Sequence, residues 1–152
     1  MKAGSIGVVL GLTLLMGCQK APTVTGATTT AGDLTIRDGV AWGLASSRSS
    51  TMGFRVTTPT GDTLVAVESP DGSATLHDTA SDGMKALDRL PVAAGVTVVL
   101  GAGGPHIMLT EATHGFAAGD SVHLIMTWSR SGRVALTVPL RNFSDASTLL
   151  GR

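Results

Sequence analysis

The chain has 152 residues, of which 11 are Lys or Arg and 11 are Asp or Glu, so its formal net charge is zero. No basic run and no interleaving of basic with aromatic residues occurs, which argues against nucleic acid as a partner. Gly is abundant at 20 residues and Tyr is absent, and Val, Thr and Leu are frequent, a composition that favours short strands and turns over helices.

At the N-terminus, Lys2 precedes an apolar stretch from Ile6 to Met16. That stretch is too short for a comfortable membrane span and has the form of a secretory leader. It ends in Leu15-Met16-Gly17-Cys18, which resembles the lipobox of bacterial lipoproteins. The resemblance implies cleavage before Cys18 and lipidation of its thiol. An ordinary secretory leader with an incidental Cys is the alternative, but the single cysteine of the chain stands where a lipobox requires it. A lipid on Cys18 implies a periplasm-facing protein of the cell envelope, held to a membrane. Gln19 leans toward the outer membrane by analogy with enterobacterial sorting, and the choice between inner and outer membrane stays open. With Cys18 acylated no free thiol remains, so soft-metal binding in an oxidising compartment would rest on Met.

Residues 1–18 are therefore read as a lipoprotein signal peptide and 19–32, rich in Thr, Ala and Gly, as a flexible tether. A β-sandwich domain is expected over 33–143 and a frayed tail over 144–152. Within the domain, strand-like runs are Leu34–Arg37, Val40–Trp42, Met52–Thr57, Thr63–Glu68, Ala74–Asp78, Val96–Leu100, His106–Glu111, Ser121–Trp128 and Arg133–Leu140. Turn signals such as Pro59-Thr60-Gly61-Asp62, Pro70-Asp71-Gly72 and Gly101-Ala102-Gly103-Gly104-Pro105 separate them. Val122, Leu124, Met126 and Trp128 alternate onto one face, as do Val134, Leu136 and Val138. Period two with one apolar face marks strands buried on one side. Many such strands predict an all-β, Greek-key sandwich or barrel of about 7–9 short strands.

The run from His77 to Met108 holds two of the four His and two of the six Met, and two other Met lie in the leader. His106 and Met108 are two apart, so an extended strand points both to one face. Imidazole plus thioether is a ligand set for Cu(I), which accepts both in three- or four-coordinate geometry. Zinc fits less well, because Met is a poor ligand for it and no Cys or carboxylate cluster is evident. Between His77 and Met84 the polar DTASDG reads as an exposed loop able to fold Met84 over the site. The dull alternatives are that the Met residues fill the core and that His77 ends a strand at the surface. His114 reads as a solvated loop residue, and His123 as outward-facing with no obvious partner. Met52 and Met126 read as packing, and Asp78, Asp82 and Asp88 as solvated loop residues.

Other chemistries find no support. HExxH, CxxC, GxSxG and Walker-type motifs are all absent from the sequence. Gly101-Ala102-Gly103-Gly104 lacks what a dinucleotide loop needs after it, and no Ser, His and Asp spacing marks a triad.

From about Leu34 to Leu140 the chain resembles the periplasmic PCu(A)C-type copper chaperones, a cupredoxin-like family. Met84 and His106 enclose residues 85–105, the family's interval before its His-x-Met, here His106-Ile107-Met108. Ala74-Thr75-Leu76-His77 resembles the strand that carries the family's first His, and Val40-Ala41-Trp42 resembles an early element of it. Ala93-Ala94-Gly95-Val96-Thr97-Val98 and Ala118-Gly119-Asp120 resemble two further elements. The interval from His77 to Met84 is shorter than the family's, and Pro105 replaces a frequent aromatic residue. The resemblance implies a metal site of His77, Met84, His106 and Met108, holding Cu(I), in a carrier rather than an enzyme. It also implies delivery to the copper subunit of cytochrome c oxidase, with a Sco-type assembly factor as a further partner.

Two other readings compete. One is a non-metal envelope lipoprotein, a β-sandwich module that binds a protein or a glycan. Separation of the His77 and His106 rings beyond about 10 Å would favour it, since metal–ligand bonds are only ~2 Å long. The other is a copper-using redox enzyme or electron carrier; a cupredoxin-type electron carrier normally needs a Cys thiolate, and lipidation of Cys18 leaves none.

Overall fold

Two layers of sheet enclose a single main core in the computed structural model, which describes residues 23–43, 48–117 and 119–151. The leader, Cys18, the start of the tether and Ala118 lie outside the described residues. Eleven strands and one helix follow in chain order. They are β1 (Ala27–Ala31), β2 (Leu34–Trp42), β3 (Ser50–Thr57), β4 (Asp62–Glu68), β5 (Ser73–Ala80), β6 (Gly83–Ala86), β7 (Leu90–Val92), β8 (Thr97–Leu100), β9 (His106–Thr110), β10 (Ser121–Trp128), β11 (Gly132–Arg141) and α1 (Phe143–Leu150). Neighbouring strands run β6-β5-β9-β3-β2-β11-β10-β4-β7, with β1 beside β2 and β8 beside β3. β11 joins the layers: it pairs antiparallel with β10 along its length, and its end (Leu140, Arg141) pairs parallel with Ala41 and Trp42 of β2.

Period-two burial explains the layers. β10 alternates exposed with buried residues, sending Val122, Leu124, Met126 and Trp128 inward. From the facing layer come Leu34, Ile36, Met52, Phe54, Val56, Ile107 and Leu109, all at 0% exposure. Fully burying one such side chain contributes roughly 1.5–3 kcal/mol. The all-β sandwich expectation thus holds, with more strands than the runs implied.

Three local differences have clear causes. Leu34–Arg37 and Val40–Trp42 are one strand, β2, interrupted by a bulge rather than a turn. Its register with β3 shifts between Arg37 and Val40, and Asp38 sits there at φ 57°. The extra residue flips the alternation, so Leu34 and Ile36 face the main core while Val40 and Trp42 face a small second cluster with Ala146 and Leu150. The bulge carries Asp38-Gly39, a dipeptide that reads as a turn, so in sequence it passes for a strand end.

β1 falls inside the stretch expected as tether, pairing with β2 from Ala27 to Ala31. Thr-rich sequence is as compatible with an edge strand as with a tether. α1 falls inside the expected tail. It lies on β2 through Ala146 and Leu150, capped by Asn142, whose side chain accepts from Asp145 N at 2.8 Å, and closed by Gly151 at φ 68°. Arg55 of β3 reaches its last turn, donating to the Leu149 carbonyl at 3.2 Å. At eight residues, α1 is too short to display a sustained period in sequence.

β3 divides between two partners. Ser50–Met52 pairs with β9 and Phe54–Thr57 with β8. Gly53 stands at the junction, where a Cβ would lie 2.4 Å from the Leu100 carbonyl oxygen. Only glycine permits that backbone approach, and it lets the 101–105 loop turn directly into β9.

Asp62 anchors the other layer. Its carboxylate accepts from Thr63 N at 2.7 Å, Ser129 Oγ at 3.0 Å, Arg130 N at 2.9 Å and Ser131 N at 2.9 Å, tying β4 to the β10–β11 turn. Burial alone would raise its pKa, but the hydrogen bonds from Ser131, Thr63 and Arg130 outweigh it and hold the group at about 2 instead of 3.8. Because the folded state favours the carboxylate, this stability is fully present above the ordinary carboxylate range and disappears as pH falls toward 2. Asp62→Asn should therefore cost ~1–2 kcal/mol at neutral pH and little at the lowest pH where the protein still folds. Urea denaturation at neutral and acidic pH measures the difference, and an equal loss at both would contradict it.

Candidate metal centre

β5 and β9 are antiparallel neighbours, with Thr75 opposite Met108, Leu76 opposite Ile107 and His77 opposite His106. Directly opposed residues share a face. Leu76 and Ile107 face the core, so Thr75, His77, His106 and Met108 together occupy the outer face. The apolar residues between them fix that register, because a one-residue slip would turn either Leu76 or Ile107 to solvent.

The two imidazoles lie against each other, with ring centroids 6.0 Å apart and planes 21° from parallel. His106 is only 5% exposed although it is on the outer face. Its Nδ1 lies 2.8 Å from the Gly104 carbonyl. A carbonyl can only accept, so Nδ1 carries the proton and Nε2 is left as a bare lone pair. Gly104 is brought there by the turn Gly101–Pro105, closed by Gly101 N donating to the Pro105 carbonyl at 2.7 Å. His77 is held differently. Its Nε2 lies 2.8 Å from Thr75 Oγ1, and its Nδ1 is buried without a hydrogen-bond partner.

Met108 is half-buried and borders a cleft lined also by Trp42, Ser49, Ser50 and Thr51. Met84 is the most open of the four, at 60% exposure. The expected DTASDG loop is a hairpin instead. β5 runs on to Ala80, turns through Ser81 and Asp82, and returns as β6, with Thr79 opposite Met84 and His77 opposite Ala86. Gly83, at φ 121°, supplies the turn conformation that other residues resist. Polar composition signalled a loop here, whereas the hairpin is exposed and so needs no apolar period. Met84 consequently lies diagonally across from His77 on the same face, the reach of a long side chain, rather than on a flap.

The remaining candidates lie elsewhere. Met52 and Met126 are fully buried in the core. His114 contacts Thr113 Oγ1 at 3.1 Å and packs edge-on against Phe116. His123 does have a partner: Asp71 Oδ2 sits 3.0 Å from its Nδ1 and accepts from its backbone N–H at 2.7 Å. Asp71 comes from the turn before β5, far away in sequence, which hid the pair. Asp78 is a β5 residue paired with Lys85 in register, not a loop residue. Among the described residues no group of three or more His, Cys, Asp or Glu could hold a metal ion, so a hard-ligand site is not formed there. Thr75 and the Gly104 carbonyl escaped the sequence reading, although Thr-x-His on a strand already places Thr75 beside His77.

The LpqE-like family model, whose description names a lipoprotein, matches residues 19–140. This chain belongs to that family. No curated protein sequence is a significant match. The fold is that of PCuAC domains, which are cupredoxin-like. The chain superposes on a copper-bound PCuAC domain from PmoF2 with a TM-score of 0.65 at 18% identity, covering 76% of this chain and 97% of that one. The apo PCuAC domain from PmoF1 gives 0.66 at 18% identity, covering 76% and 98%. The solution structure of CuI-DR1885 from Deinococcus radiodurans gives 0.58 at 19% identity, covering 83% of each chain.

Proposed function

We propose that this LpqE-like protein is a copper carrier that takes one Cu(I) between His77 and His106, with Met108 as third ligand and Met84 as a fourth from the β6 hairpin. The observation that carries the reading is the pairing of two imidazoles across β5 and β9, with His77 Nδ1 buried and unpartnered. Ring centroids 6.0 Å apart would leave room for an ion bonded at ~2 Å to one nitrogen of each ring. That separation is well inside the 10 Å that would have favoured a module without metal. A set of neutral imidazoles and thioethers, with no thiolate or carboxylate, suits soft Cu(I). The copper-bound PCuAC domain from PmoF2 and CuI-DR1885, two structural neighbours, support the same cargo.

An open site serves transfer better than catalysis. Met84 stands at the free edge of the sheet, on the terminal strand β6, where an acceptor can replace it first. The proposed route ends at a membrane copper enzyme such as cytochrome c oxidase, with a Sco-type factor as a further partner. A lipid on Cys18 would hold the carrier at the envelope membrane, with β1 beginning at Ala27.

Competition with a chromophoric Cu(I) chelator tests the site. One equivalent of Cu(I) is expected to be withdrawn from the chelator, and the His106→Ala/Met108→Ala protein should withdraw none. Undiminished affinity in that double variant would exclude this ligand assignment.

A further inference from the structure

We infer that Thr75 is a positioning residue that fixes the tautomer of His77, so that copper is taken through Nδ1 of His77 and Nε2 of His106. The inference rests on the copper reading of the site and names which ring nitrogens serve it.

The two rings are constrained by different partners. The Gly104 carbonyl admits one arrangement of His106, with its proton on Nδ1. Thr75 Oγ1, 2.8 Å from His77 Nε2, could either accept or donate. The buried Nδ1 decides between them. If Thr75 donated, the His77 proton would sit on Nδ1, a buried N–H with no acceptor that no metal ion could satisfy. If Nε2–H donates to Thr75, Nδ1 is instead an unprotonated lone pair that a metal ion can satisfy, which is the state a metal ligand needs. Thr75 shares the outer face with His77 and lies opposite Met108, so the β5–β9 register that assembles the ligands also places their orienting hydroxyl. Hydrogen-bonding partners of this kind settle both the ring orientation and the basicity of the ligating nitrogen.

The consequence is an asymmetric site. His106 is oriented by backbone and cannot be reset by a side-chain change, whereas His77 is oriented by one hydroxyl.

Long-range proton–nitrogen NMR of the full chain without copper, at a pH where the imidazoles are neutral, reads the tautomers directly. His77 should show its proton on Nε2 and His106 on Nδ1. Thr75→Val, which keeps the shape and removes the hydroxyl, should lose the fixed His77 tautomer and weaken Cu(I) binding about 10–100-fold. Thr75→Ser should retain both properties, which separates positioning from packing. A wild-type His77 proton on Nδ1, an unaltered tautomer in Thr75→Val, or equal loss in the Ser and Val variants would each overturn the inference. The apo tautomers are read without metal, so failure of the wild type to bind Cu(I) would instead count against the copper reading.

Discussion

His106→Ala should lower Cu(I) affinity by more than about a hundredfold, the largest single-residue loss at the site. Removing only an orienting partner of a metal ligand costs about 10–100-fold, and here the proposed ligand itself is removed. His106 is also the most shielded member of the set at 5% exposure, so water offers a poor substitute ligand. Met84→Ala should lose far less, because a 60% exposed thioether spends much of its conformational freedom on ordering when it binds. His114→Ala, away from the face, serves as the control and should bind as the parent does. Chelator competition gives the three affinities on one scale. Since Ala leaves the Gly104 carbonyl unpaired, circular dichroism should accompany the measurement to show that the sheet persists. Equal affinities for the His106 and His114 variants would remove the site from the β5–β9 face.

Phe54→Ala should destabilise the fold by ~3–5 kcal/mol, the usual range for deleting a buried aromatic side chain. Phe54 has no exposed surface, and its strand holds β8 on one half and β9 on the other. Against a total stability of ~5–15 kcal/mol for a domain, that loss is large. β9 carries His106 and Met108, so the same change should bring loss of the proposed copper site to a lower temperature. Chemical denaturation with a matched thermal scan measures it. A midpoint shift corresponding to under about 1 kcal/mol would mean that the two layers pack differently from the arrangement described. Trp128, 1% exposed on β10, offers a fluorescence signal from the opposite layer for the same transition.

What the sequence determined by itself was local. Alternation in β10 and β11 and in His106-Ile107-Met108 is a property of single strands. It needs only the two-residue period of the extended chain, so the all-β class and the shared face of His106 and Met108 followed from it. The interval from Met84 to His106 likewise lies along the chain, so the resemblance to copper chaperones that it supports needs no tertiary contact.

Tertiary structure decided everything that depends on pairing. That His77 stands opposite His106 follows from the β5–β9 register, which the burial of Leu76 and Ile107 selects. The bulge at Asp38, which turns Val40 and Trp42 toward α1, is marked in sequence only by Asp38-Gly39, which a turn would carry equally well. The β6 hairpin and α1 are short and partly exposed, so neither imprints a long apolar period. The Asp71–His123 pair and the Arg55 contact to α1 join residues far apart in sequence. A ligand set could be listed from spacing, but its geometry is non-local. Sheet register, set by core burial on one face, positions the side chains on the other.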